Sequence, residues 1–154
     1  MAVDSAALTT FPRLMLHHAS VRGEHPAVRE KDLGIWQTWT WRQVADEVRA
    51  LACGLAAQGF NRGDHLAIIG DNRPRLYWAM AAVQCLGGVP VPMYQDAPAA
   101  EFTFVLQDAG IAACTVAHDS ARIGEADSTL ASGVISFSNG AAAALSAAPG
   151  RRLR

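Results

Sequence analysis

A chain of 154 residues and 16.3 kDa has the length of one ordinary domain, or of one piece of a larger one. Apolar residues make up 51% and charged residues 18%, which supports a buried core and excludes an intrinsically disordered acid or base. The 13 basic and 14 acidic side chains leave a net charge of −1, so the basic face of a phosphate-backbone binder is absent and no nucleic-acid partner is expected.

Four helices are predicted in the first 111 residues. Thr10 caps the first, with Pro12 in its first turn, Leu14, His18 and Val21 along one face and Gly23 as its stop. Ala27-Val28-Arg29 and Trp36-Gln37-Thr38-Trp39 follow as a small strand pair. Thr40 and Gln43 have the spacing of a capping box, in which each side chain takes the other's backbone amide. Val44, Val48, Leu51 and Leu55 then line one face of a second helix, which ends at Gly59. The third opens at Asn72-Arg73-Pro74, carries Leu76, Met80 and Val83, and stops at Gly87-Gly88. The fourth opens around Asp96-Ala97-Pro98, aligns Phe102, Val105, Leu106 and Ala109, and ends at Gly110.

Between these helices lie strands at His65–Gly70, Val89–Tyr94 and Ala112–Ala117. Strand, helix, strand, helix, strand is βαβαβ, which implies parallel pairing and right-handed crossovers. Pro90 and Pro92 are two apart, so both missing N–H groups point to the same side. That strand is expected at an edge, or interrupted on one side.

Past residue 111 the composition changes. Ten of the eleven aromatics lie before that point, and the remaining 43 residues hold 12 alanines with much Ser and Gly. Residues 118–154 read as a loosely structured tail, with Ala141-Ala142-Ala143-Ala144 and Arg151-Arg152-Leu153-Arg154 as low-complexity sequence. Such a composition is what GC-rich coding DNA yields when read out of frame, so a frame change or truncation is one expectation. The start Met1-Ala2-Val3-Asp4-Ser5 has neither the basic residues nor the apolar run of a signal peptide. Gly87, Gly88, Pro90 and Pro92 divide the apolar window from Leu76 to Tyr94, so no transmembrane segment is expected. Cys53, Cys85 and Cys114 have neither metal nor redox spacing and read as buried thiols in a reduced compartment.

Candidate sites are few. Neither strand-to-helix turn, Gly70-Asp71-Asn72-Arg73-Pro74 or Tyr94-Gln95-Asp96-Ala97-Pro98, carries G-x-G-x-x-G, and no G-x-x-x-x-G-K-[ST] occurs. Lys31, the one lysine, lies before the first parallel strand. Asp71-Asn72 could mark a ligand site at a strand's carboxyl end. The plainer reading is a helix cap at Asn72 and a favourable charge at Asp71, each worth about 1 kcal/mol. Gly63-Asp64 reads as a turn into the strand. His17 and His18, adjacent on a helix, cannot face one metal. Trp36, Trp39 and Trp41 could form a platform for bases or sugars, but without a basic setting they read as core and interface side chains.

The order of these pieces resembles the start of the AMP-forming acyl-CoA synthetases, in particular the long-chain fatty acid–CoA ligase branch. It is carried by Gly34-Ile35-Trp36-Gln37-Thr38-Trp39-Thr40-Trp41 and Ala52-Cys53-Gly54-Leu55. Further along come Gly63-Asp64-His65-Leu66-Ala67-Ile68-Ile69-Gly70-Asp71-Asn72-Arg73-Pro74 and Gly87-Gly88-Val89-Pro90-Val91-Pro92-Met93-Tyr94. The likeness runs from about Phe11 to Ile111. It implies a family that uses ATP and Mg²⁺ to make an acyl-adenylate and then transfers the acyl group to coenzyme A. The phosphate loop with its lysine, the acidic ligands and the lid lysine of that family have no counterpart here. Ser136-Phe137-Ser138-Asn139-Gly140 lacks the threonines, second glycine and lysine of the loop.

The resulting expectation is an α/β fold, a βαβαβ parallel three-layer unit. Residues 1–117 would form the N-terminal part of an AMP-binding domain and 118–154 the tail. No catalytic, cofactor-binding or metal residue is assigned, and no cofactor is expected for this chain alone. ATP, Mg²⁺, CoA and a fatty acid belong to the full-length family. The chain is expected to be an inactive N-terminal fragment, cytoplasmic, peripheral to a membrane, and self-associating through an exposed sheet edge. The alternatives are a non-catalytic interaction module on the same half-fold or an unrelated small α/β binding domain.

Overall fold

A computed structural model describes residues 9–94, 96–111, 113–117 and 134–136. The N-terminal leader question, Gln95, Ala112, and the alanine and arginine runs of the tail lie outside the described residues. Ten elements follow one another: α1 (Phe11–Val21), β1 (Pro26–Asp32), β2 (Ile35–Thr40), α2 (Trp41–Ala57), β3 (His65–Gly70), α3 (Pro74–Cys85), β4 (Val89–Met93), α4 (Ala99–Asp108), β5 (Ala113–Ala117) and β6 (Val134–Ser136). The strands β1 and β2 form an antiparallel hairpin. The others form a parallel sheet in the order β4-β3-β5-β6.

The local signals act as expected at two helix starts. The Thr10 hydroxyl accepts from the Arg13 amide, and Thr40 and Gln43 complete the reciprocal capping box at α2. The proline strand β4 lies at one edge of the described sheet and pairs only with β3. The Val89 amide donates to the Asp64 carbonyl, so the residues between the prolines turn their donors toward β3 and the prolines face outward. Gly88 permits the tight exit from α3: a Cβ there would stand 2.5 Å from the Phe60 ring and 2.8 Å from the Asp64 carbonyl.

The structure adds one strand to the expected sheet and narrows one helix face. β6, a strand in the stretch read as a loose tail, extends the three expected parallel strands to four by pairing with β5 from Cys114↔Val134 to Val116↔Ser136. On α1 the buried residue is Met15, while Leu14 and Val21 are exposed. The helix touches the body through a narrower stripe than its apolar periodicity suggests.

The crossover from β3 to β4 runs one way across the sheet and that from β4 to β5 runs back. Right-handed connections therefore place α3 and α4 on opposite faces. The His65 Nδ1–H donates to the Ala109 carbonyl, which ties the end of α4 to the face carrying His65, Ala67 and Ile69. Leu66 and Ile68, on the other face, have no exposed surface and join Val48, Leu55, Ala82 and Val83 in the core. The three layers are thus α1, α2 and α3, then the sheet, then α4.

Candidate functional site

The strand order β4-β3-β5-β6 has the connectivity of a doubly wound sheet whose direction of winding reverses between β3 and β5. Loops leaving neighbouring strands toward opposite faces open a crevice at their carboxyl ends, and ligands of open α/β sheets gather there. Gly70 and Ala117 are paired at that end. The described half of the rim is Gly70-Asp71-Asn72-Arg73, with Tyr77 one turn into α3.

Asn72 does not cap α3, contrary to the plainer expectation. The N-cap position is Arg73, extended at φ −120° and without a side-chain cap bond. Pro74 at the first helical position has no amide to satisfy, which weakens the demand for a cap. The Asn72 Oδ1 instead accepts from the Tyr77 hydroxyl, and the Arg73 amide closes a tight turn on the Asp71 carbonyl at 2.7 Å.

Arg73 organises the rim. Its Nη1 donates to Glu30 Oε1 at 3.0 Å and stands 3.6 Å from Asp32 Oδ1, and its Nε stands 3.8 Å from Asp71 Oδ2. One guanidinium thus ties the hairpin to the exit of β3. Glu30 and Asp32 alternate along β1, so they share a face, and that pattern is the one sequence signal for a facing cation. Nothing local identifies Arg73 as the partner, because it lies 43 residues from Glu30. Among the described residues three carboxylates stand against this one guanidinium, the wrong sign for holding a phosphate.

The other candidate residues are dispersed. Trp39 meets Trp78 edge-on at 5.5 Å and Trp41 meets His18 at 4.7 Å, so these two pack half-buried against the core, as expected of interface side chains. Trp36 is not: it is 65% exposed on the hairpin. The three do not form a platform. His17 and His18 have ring centroids 5.6 Å apart. The His18 Nδ1 is buried without a hydrogen-bond partner, and burial first, then the nearby Arg22 and His17, hold its pKa below the ordinary value. Among the described residues no three His, Cys, Asp or Glu side chains converge as a metal site.

Cys53 and Cys85 are exposed, which corrects the expectation of buried thiols; Cys114's side chain lies outside the described residues. Cys53 sits on the outer side of α2 between the buried Ala52 and Leu55, and helical rotation turns it away from the core. Desolvation by its surroundings pushes the Cys85 thiol up, so it is a weak nucleophile at neutral pH. A shallow groove between the start of α1 and the end of α3, lined by Phe11, Leu14, Gln84 and Gly88, carries no charged side chain. It adjoins the amino end of β4, away from the crevice.

ATP and Mg²⁺ do not fit the described residues. Lys31 lies on the hairpin, the rim is net negative, and neither turn is a glycine-rich cradle. No reaction step is assigned to a residue of this chain.

A doubly wound half-sheet whose described residues form no phosphate cradle is the scaffold class that the geometry defines. In the N-terminal subdomain of Klebsiella oxytoca NpsA, in complex with 3-hydroxybenzoyl-AMSN, the same fold recurs with a TM-score of 0.66 at 25% identity, covering 82% of this chain and 29% of that one. The family model described as AMP-binding enzyme matches residues 15–149, and the chain belongs to that family. The match crosses the change in composition at residue 111, which runs counter to a frame change at that point.

Relatives span several substrates. The uncharacterized protein Rv1549 of Mycobacterium tuberculosis is 38% identical over 74 residues, 48% of this chain and 42% of Rv1549. The long-chain-fatty-acid–CoA ligase FadD15 of the same organism is 35% identical over 77 residues, 49% of this chain and 12% of FadD15. A 2-succinylbenzoate–CoA ligase of Salmonella typhimurium is 32% identical over 82 residues, 53% and 17% respectively. The chain therefore spans less than half the length of these relatives. Among the described residues, no helix is long and apolar enough to cross a membrane.

Proposed function

We propose that this chain is an N-terminal fragment of an AMP-forming long-chain fatty acid–CoA ligase and is inactive alone. The supporting observation is that the half-sheet of this family is present while the described residues offer no cradle for ATP. The likeness to FadD15 favours a long-chain acid over other carboxylates. In the complete enzyme, ATP, Mg²⁺ and CoA would act on the fatty acid through segments beyond those described. We extend the reading to a cytoplasmic protein that touches a membrane peripherally, where long-chain acids partition, and that self-associates through the open edge of β6.

ATP–pyrophosphate exchange with a long-chain fatty acid tests the catalytic part. The 154-residue chain should give no exchange above background. Exchange, or acyl-CoA formed by this chain alone, overturns the fragment reading. Sedimentation at rising concentration tests self-association, and a monomer throughout counts against it.

A second reading, a non-catalytic interaction module on the half-fold, draws on one observation. A 74-residue match is 42% of Rv1549, whereas a 77-residue match is only 12% of FadD15, so one relative is itself a short chain. Co-purification of this chain with a full-length ligase, without any change in exchange activity, favours that reading.

A further inference from the structure

The tip of the β1–β2 hairpin breaks the local rules. Asp32 pairs with Ile35, so the loop is the two residues Leu33 and Gly34, with φ of +47° and +84°. Positive φ at both positions is the type I′ turn, which favours Asn, Asp or Gly. Leucine at the first position is strained, and its side chain is 95% exposed. Ile35 and Trp36 follow it at 69% and 65% exposure. They lie on opposite faces of the strand, so each face of the tip carries an exposed apolar side chain, Ile35 beside the Arg73-held Asp32 on the inner face and Trp36 beside Lys31 on the outer one.

The charges behind the tip are sorted by face. Cross-strand pairing puts Lys31 opposite Trp36 and Arg29 opposite Thr38, all exposed and on the outer face. Glu30 and Asp32 lie on the inner face, where Arg73 holds both. The outer face therefore shows two cations and an indole, with no carboxylate between them. From the tip backwards the outer face shows Leu33, then the Trp36 indole level with Lys31, then Arg29, as in a segment crossing from acyl chains to anionic headgroups.

We propose that the hairpin tip, Leu33 to Trp36, enters the headgroup region of an anionic lipid bilayer, with Lys31 and Arg29 on the lipid phosphates. This rests on the peripheral-membrane part of the proposed function and not on its acyl chemistry. A lipid surface accounts for both apolar faces, since it closes round a tip from every side, whereas a protein groove covers chiefly one. A nucleic acid could take Trp36 and the cations but has no use for Leu33 and Ile35.

Co-sedimentation of the full chain with vesicles tests it. Vesicles of phosphatidylcholine and phosphatidylglycerol in equal amounts should bind on the order of tenfold more tightly than phosphatidylcholine alone, and less so in high salt. Leu33→Asn installs a residue the turn prefers, so it should keep or raise the thermal midpoint while weakening vesicle binding on the order of tenfold. Paired Arg29→Glu and Lys31→Glu substitutions should abolish the preference for the anionic vesicles. Brominated lipid should quench tryptophan fluorescence in the parent chain and much less in Trp36→Phe. If the parent binds and Leu33→Asn binds equally, the tip proposal falls while peripheral membrane contact stands. If the parent binds neither vesicle, both fall. Tighter binding to a single-stranded oligonucleotide than to either vesicle also overturns it.

Discussion

On one face of the sheet, Leu66 and Ile68 of β3 have no exposed surface beneath α2 and α3; on the other, α4 buries none of its own residues and leaves Phe104 exposed. The two faces are built from alternating residues of the same strand, so the contrast is not one of local propensity. α4 presents Phe102, Val105, Leu106 and Ala109 on one side, as its periodicity predicts, yet these remain only half-buried. An apolar stripe sets which side of a helix turns inward, and the amount buried depends on what else arrives to cover it. A parallel sheet needs cover on both faces: Ala67 is fully buried on the α4 face too, so α4 shields the sheet while its own side chains stay half-buried or exposed.

The largest expected effect separates the two faces. Ile68→Ala should cost about 2–5 kcal/mol of unfolding free energy, the usual range for emptying a fully buried aliphatic site. Leu106→Ala on α4 should cost about 1 kcal/mol or less. Denaturant melts of both variants check this, and equal losses would mean that α4 is as well covered as the core. Next is Thr40→Ala, which breaks the capping box of α2 and should cost about 1 kcal/mol in the same melts. Arg73→Gln removes a half-exposed ion pair and should lower stability by no more than about 1 kcal/mol, an effect that fades in high salt.

The mildest effect is on pH. The fold favours neutral His18, so the folded chain takes up a proton less readily than the unfolded chain, whose value is the ordinary 6.5. Stability is complete above about pH 6.5 and falls as pH drops below it. His18→Gln should flatten that slope in melts across pH 5 to 8; an unchanged slope would assign it to other groups.

Much of the fold was legible because its signals are local. The capping box needs only Thr40 and Gln43, the outward prolines of β4 need only their spacing of two, and parallel pairing follows from strands alternating with helices. β6 was not legible, since a three-residue strand in an alanine- and serine-rich stretch has neither length nor aromatic content to announce it. The candidate site was legible as a place, the turn after β3, but its bonding was misread. Asn72 looked like a cap by position, and only the packing of α3 brings the Tyr77 hydroxyl to it. Trp36 looked like its neighbours Trp39 and Trp41; strand alternation sends Trp39 inward to Trp78, and the hairpin's projection leaves Trp36 in solvent.

What the sequence alone determined is therefore what neighbouring residues settle among themselves: helix starts and stops, strand periods, the blocked edge at Pro90 and Pro92, and the family likeness their order carries. Tertiary structure decided which partners meet across long separations. Arg73 reaches Glu30 and Asp32 only because β1 folds back against the start of α3, and Cys53 and Cys85 are exposed only because the core lies on the far side of their helices. The physical reason is common to all of these. Backbone geometry and capping act over three or four residues, whereas burial and ion pairing are set by distances in space that no local spacing records.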